Sequence, residues 1–120
     1  QAMDENDVVI KRAYNYMNKN YQENISLEDI ARHVGMNASA LYRYYKKNTG
    51  KTLFSYLSEL RISYAVKLLM NKNIAISQIA YDCGYNNLSH FNRQFKGITG
   101  KTPSEYCKLL NREENTINLT

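Results

Sequence analysis

Arg43 and Arg93 are the side chains of this sequence best suited to reading the edge of another molecule. A guanidinium fork can donate two parallel hydrogen bonds to O6 and N7 of a guanine, and each arginine falls mid-helix on a polar face. Ser39 and Tyr42 stand within a turn of the first, and Ser89, His90 and Asn92 stand beside the second. Their hydroxyl, imidazole and amide groups suit base edges or thymine methyls, although Ser39 and Ser89 could equally open their helices. Lys46, Lys47, Lys96, Lys101 and Thr102 follow at helix ends and loops, where a phosphate backbone would pass. The competing roles are a salt bridge or phosphate contact for the arginines, a solvated face for the lysines and a neutral surface imidazole for His90.

Other chemistries find less support. Cys83, Cys107, His33 and His90 could supply four zinc ligands on paper, but no spacing places two of them on one turn as a metal knuckle does. Cys83 and Cys107 both fall at apolar helix positions and read as small core residues of a reducing compartment. No carboxylate pair occupies a cleft-forming context and no base is placed to activate either thiol. The sequence therefore assigns no catalytic residue, no metal and no cofactor.

The elements that must position these residues occur twice. From Ile76, a short apolar pattern of Ile76, Ile79, Ala80 and Cys83 stops at Gly84, where a residue free to take positive φ lets the chain turn. A second helix then carries Leu88, Phe91 and Phe95 on one stripe and Ser89, His90, Asn92, Arg93 and Lys96 on the other side. This is a helix-turn-helix pattern. Aligning Ile30-Ala31 with Ile79-Ala80 brings Gly35 onto Gly84. One extra residue in the second turn then brings Arg43 onto Arg93, Tyr45 onto Phe95, Thr49 to Thr52 onto Thr99 to Thr102, and Tyr56 onto Tyr106. Two copies are too few for a stacked solenoid, so the reading is a duplicated binding module.

Taken in order, residues 1–6 are polar and read as a disordered N-terminal segment. The first module spans 7–52: a helix with Ile10, Tyr14, Met17 and Tyr21 inward, a capping sequence at Ser26 to Asp29, and a second cap at Asn37. A linker helix covers 53–70 without Gly or Pro, roughly 27 Å at 1.5 Å per residue. The second module spans 71–111 and ends in a helix opened by Thr102-Pro103-Ser104-Glu105, with Tyr106, Leu109 and Leu110 inward. Residues 112–120 read as a polar tail. The expected fold is all-α, about seven helices forming two helix-turn-helix modules joined by a long linker helix.

Composition agrees. A hydrophobic share of 43% is enough to fold one compact unit, or two small ones sharing a core. Sixteen Lys and Arg against eleven Asp and Glu leave a charge of +5, which favours nucleic acid or an anionic surface over a basic partner, although basic charge also serves solubility. Eleven tyrosines could suggest stacking platforms for single strands, but Tyr14, Tyr56 and Tyr106 fall on apolar stripes and read as core. No apolar run is long enough to span a bilayer and no signal peptide is evident, so the expected location is the cytoplasm.

The run Ile79-Ala80-x-x-x-Gly84-Tyr85, followed by Ser89-x-Phe91-x-Arg93-x-Phe95-Lys96 and Gly100-x-Thr102-Pro103-x-x-Tyr106, resembles the AraC/XylS family of bacterial transcription regulators. Leu41-x-Arg43-x-Tyr45-Lys46-Lys47-x-Thr49-Gly50 and Arg61-Ile62-x-x-Ala65 fit the same family. Three departures are visible: Asn37-Ala38 stands where the family usually has Ser-Pro, and Tyr45 and Tyr85 stand where Phe is commonest. They amount to a cap exchange and two added hydroxyls. The resemblance implies a duplex DNA-binding domain, usually the C-terminal part of a longer regulator, with both recognition helices in successive major grooves on one face. It also implies activation of transcription, contact with RNA polymerase, and signal sensing and dimerisation in an N-terminal domain absent from this chain. Two modules on one rigid helix independently suggest an asymmetric site of roughly 20 base pairs, straight or bent. The other classes weighed are a DNA-modifying enzyme with a reactive cysteine and a helical adaptor that has lost DNA affinity.

Overall fold

The computed structural model describes residues 7–71 and 73–119, the stretch 112–119 by its backbone alone; the expected N-terminal segment 1–6 lies outside the described residues. Seven α-helices follow one another: α1 (Val8–Asn20), α2 (Leu27–Val34), α3 (Ala38–Thr49), α4 (Leu53–Leu69), α5 (Ile76–Asp82), α6 (Leu88–Thr99) and α7 (Pro103–Leu119). Among the described residues none is in a strand, so the all-α expectation holds.

The chain divides into two compact units, Gln1–Leu60 and Arg61–Thr120. In the first, Ile10, Ala13 and Met17 of α1 pack with Ile30, Ala31 and Val34 of α2, Leu41 and Tyr45 of α3, and Leu53 and Leu57 of α4. Each large apolar side chain removed from water in this way contributes about 1.5 to 3 kcal/mol before its entropy is counted. The inward stripe of α1 is Ile10, Ala13, Met17; Tyr14 and Tyr21, expected to complete it, are only partly buried against its edge. In the second unit the core is Ile62, Ala65 and Leu69 of α4, Ile79 and Ala80 of α5, Cys83 and Tyr85 of the turn, and Phe91 and Phe95 of α6.

The linker helix is thus not a third unit. Its N-terminal half belongs to one core and its C-terminal half to the other, with the division between Leu60 and Arg61.

Local chemistry sets the helix ends. Ser26 Oγ accepts from the Asp29 N–H at 3.1 Å and Asp29 Oδ2 accepts from the Ser26 N–H at 2.9 Å, closing a capping box on α2. Thr102 and Glu105 do the same for α7, at 3.2 and 2.8 Å. The duplication extends to hydrogen bonds: the Thr49 hydroxyl donates to the Tyr45 carbonyl at 2.7 Å, and Thr99 to the Phe95 carbonyl at 2.8 Å.

The backbone of α7 remains helical to Leu119, past position 111, where the sequence reading begins a polar tail. After Pro103 no glycine or proline interrupts it, and polar residues such as Arg112, Glu113 and Glu114 tolerate a helix without an apolar stripe.

Candidate nucleic-acid interface

The two turns set how α3 and α6 are presented. Gly35 sits at φ 81° with its N–H donating to the Ala31 carbonyl at 2.9 Å, and Gly84 sits at φ 97° with its N–H donating to the Tyr81 carbonyl at 3.0 Å. Left-handed backbone costs a residue with a Cβ about 1 to 2 kcal/mol, which is why glycine marks both turns. Asn37 Oδ1 then accepts from the Ala40 N–H at 2.8 Å and Asn87 Oδ1 from the His90 N–H at 2.9 Å, so both following helices begin on an asparagine cap. The exchange of the family's usual Ser for Asn37 is therefore a working cap.

On α3, Leu41 and Tyr45 are buried, while Ser39, Tyr42, Arg43, Lys46 and Lys47 are exposed. On α6, Phe91 and Phe95 are buried, while Ser89, His90, Arg93 and Lys96 are exposed. Each helix therefore brings its own candidates onto one stripe, positions 39, 42, 43 and 46 in one case and 89, 93 and 96 in the other. Neither helix contains an acidic residue. Among the described residues no ion pair is seen at Arg43 or Arg93, whereas Arg32 pairs with Asp29 and Lys51 with Glu59.

Several expectations need correction. Leu88, expected in the buried stripe, is 45% exposed at the first residue of α6. Asn92, placed on the open face, is half-buried. Thr102 is also half-buried, and its hydroxyl is already engaged as the cap of α7. Glu105 stands among the phosphate candidates: hydrogen bonds from Thr102 hold its carboxyl below the usual range, with Lys96 and Lys101 adding to the effect. Lys101 is exposed.

The two added hydroxyls sit in different settings. Burial pushes the Tyr45 phenol far above its ordinary value, with Tyr14, edge-on to it with ring centroids 5.9 Å apart, adding to the effect. The Tyr85 hydroxyl donates to Gln94 Oε1, the Arg61 guanidinium lies over the Tyr85 ring at 5.5 Å, and His90 meets the ring edge-on at 5.5 Å. Sequence reasoning missed Gln94 and Arg61 as parts of this site. The only signal was the aromatic residue at the end of the longer turn.

The Cys83 thiol is a poor nucleophile in this setting. Cys83 is fully buried, which pushes its thiol up to about 12, and Cys107 is half-buried. Among the described residues no three His, Cys, Asp or Glu side chains form a group that could hold a metal, and no helix is long and apolar enough to cross a membrane.

A family model described as a helix-turn-helix domain matches residues 30–108. A transcriptional regulator with an AraC-type DNA-binding domain from Chromobacterium violaceum has a crystal structure similar to this one. It is 30% identical over 85% of this chain and 91% of that one, with a TM-score of 0.74. The chain belongs to the AraC-type helix-turn-helix family. As an AraC-type domain it is of the kind that binds DNA in bacterial transcription regulators. The lactose operon transcription activator of Staphylococcus xylosus is 35% identical over 97 residues, 81% of this chain and 35% of that protein. The bifunctional transcriptional activator and DNA repair enzyme AdaA of Bacillus subtilis is 34% identical over 99 residues, 82% of this chain and 47% of that protein. The AraC-type chain described here spans 60%, 35%, 34% and 47% of the length of four curated relatives it matches.

Proposed function

We propose that this chain is the sequence-specific duplex-DNA-binding part of a bacterial transcription activator, with α3 and α6 lying in successive major grooves. The observation that carries the reading is the matched exposure of Arg43 and Arg93, each on an acid-free helix and neither paired with a carboxylate among the described residues. An unpaired guanidinium on an open helix face is available to guanine O6 and N7, and Ser39, Tyr42, Ser89, His90 and Asn92 would share the base edges beside it. Lys46, Lys47, Lys96, Lys101 and Thr102 would meet the phosphates that set register.

In this reading the chain assigns no catalytic residue. The repair activity in AdaA's name belongs to a protein of which this chain matches less than half, and the Cys83 thiol of this chain is fully buried. RNA polymerase is the expected protein partner and the cytoplasm the expected location. Because the relatives are longer than this chain, signal sensing and dimerisation are assigned to a further segment of the full regulator.

The test is selection of duplexes from a randomised pool by the chain, followed by titration at several salt concentrations. A DNA reader enriches one motif and loses affinity steeply with salt. Enrichment of no motif, or affinity insensitive to salt, would instead identify a helical adaptor.

A further inference from the structure

The second module has an aromatic device that the first lacks. Its turn is one residue longer, and the last residue before the Asn86-Asn87 cap region is Tyr85, where the first module has Met36; His90 likewise stands where the first module has Ala40. Tyr85 is 4% exposed and held from two sides, by its hydroxyl on Gln94 and by the Arg61 guanidinium over its ring. His90 is exposed and rests edge-on against that ring, with an interplanar angle of 80°. An exposed imidazole on a helix normally samples several rotamers, and each one frozen on binding costs affinity. A fixed aromatic wall beside it removes part of that freedom in advance.

We infer that Tyr85 is a positioning residue whose buried ring fixes the His90 imidazole in the orientation in which an imidazole N–H donates to N7 of a purine. The inference rests on reading α6 as a recognition helix. N7 is the acceptor that adenine and guanine both present in the major groove, so the base pair facing His90 should be read as purine against pyrimidine. Arg61 and Gln94 act one step further back, by keeping the Tyr85 ring in place.

The experiment uses the whole chain and a duplex it selects from a random pool, with each purine replaced in turn by its 7-deaza analogue, which lacks the N7 acceptor. Wild type should lose about 3- to 10-fold in affinity at one purine that His90→Ala no longer senses. Tyr85→Met, which installs the first module's residue, should lose sensitivity at that same purine and add nothing further when combined with His90→Ala. Tyr85→Phe, which keeps the ring, should retain it. The inference is overturned if His90→Ala alters no single position, or if Tyr85→Met weakens all duplexes alike or keeps the 7-deaza effect. Independently of any variant, the wild-type chain bound to its duplex should show nuclear Overhauser contacts between the His90 and Tyr85 rings, and their absence also overturns it. Failure to select any motif would remove the DNA-reading function itself, whereas a selected motif without a His90-dependent purine removes only this inference.

Discussion

The Tyr44 hydroxyl donates a 2.6 Å hydrogen bond to Oδ2 of Asp7, tying α3 to the first turn of α1 across 37 residues of sequence. The other oxygen of the same carboxylate accepts from the Ile10 N–H at 3.1 Å and caps α1. One aspartate therefore starts a helix and docks it beside the arginine-bearing helix. Tyr44→Phe should cost about 0.5 to 1.5 kcal/mol of stability, the net worth of one such bond. Asp7→Ala removes the cap as well and should cost about 1.5 to 3 kcal/mol. Chemical denaturation of both variants and the double variant checks this: if the two losses simply add, the bond contributes nothing in solution.

Phe95 anchors the second module as Tyr45 anchors the first. It is fully buried, edge-on to Tyr106 at 5.6 Å and beside Phe91 at 5.7 Å. Phe95→Ala should destabilise the second unit by about 3 to 5 kcal/mol, a large share of a small domain's stability. The check is thermal melting, and an unmoved transition would mean that this ring is not packed.

Much of this arrangement was legible in the sequence, for identifiable reasons. Helix caps act over three or four residues, so Ser26 with Asp29, Thr102 with Glu105, and Asn37 could each be read locally. The glycine-marked turns and the buried pair Phe91 and Phe95 followed from local backbone and periodicity rules. What escaped depends on neighbours distant in sequence. Leu88 fits the α6 stripe by spacing yet lies beyond the reach of the core, and the buried Ile62 comes five positions after Leu57, off the three-to-four spacing of a single stripe. The partners of the tyrosine hydroxyls, Asp7 for Tyr44 and Asn18 for Tyr56 at 3.2 Å, lie at the cap of α1 and within it, far off in sequence, and leave no periodic trace.

Cys83 supplies a pH dependence with a definite sign. Burial, with Asp82 adding, raises its thiol from 9.0 to about 12 in the folded chain. Below pH 9 neither state ionises this group and its contribution is complete. As pH rises from 9 toward 12 the unfolded chain releases the proton first, so the contribution is lost through that window. The stability advantage of wild type over Cys83→Ala should therefore shrink between those values. At neutral pH a thiol reagent should modify the half-buried Cys107 and reach Cys83 only on unfolding; rapid labelling of Cys83 in the folded chain would reopen the case for a reactive cysteine.

Continuity of α4 matters to function if the two modules bind one site together. The helix runs unbroken through Leu53–Leu69, and an alanine inserted between Leu60 and Arg61 leaves each core's own residues in phase with one another. It turns everything beyond it by about 100° and advances it by about 1.5 Å. Preference for the selected duplex should disappear while circular dichroism and melting remain near wild type. Unchanged affinity for that duplex would show that the modules bind independently.

Arg93 and Lys46 separate reading from anchoring. Lys96 is a less clean anchor to test, because its charge also helps hold the Glu105 carboxyl low, whereas Lys46 is exposed at the acid-free end of α3. If Arg93 pairs with a guanine, Arg93→Ala should lose about 1 to 3 kcal/mol on the selected duplex and relax preference at one base pair alone. Lys46→Ala should weaken every duplex alike and lower the salt slope by about one ion. Titrating both variants against the selected duplex and its single-base variants, at several salt concentrations, gives each effect its own signature. Should Arg93→Ala lower affinity equally for all duplexes, Arg93 is a phosphate anchor. Base readout by α6 would then fall to the exposed Ser89 and His90, since Asn92 is half-buried on the flank of the same helix.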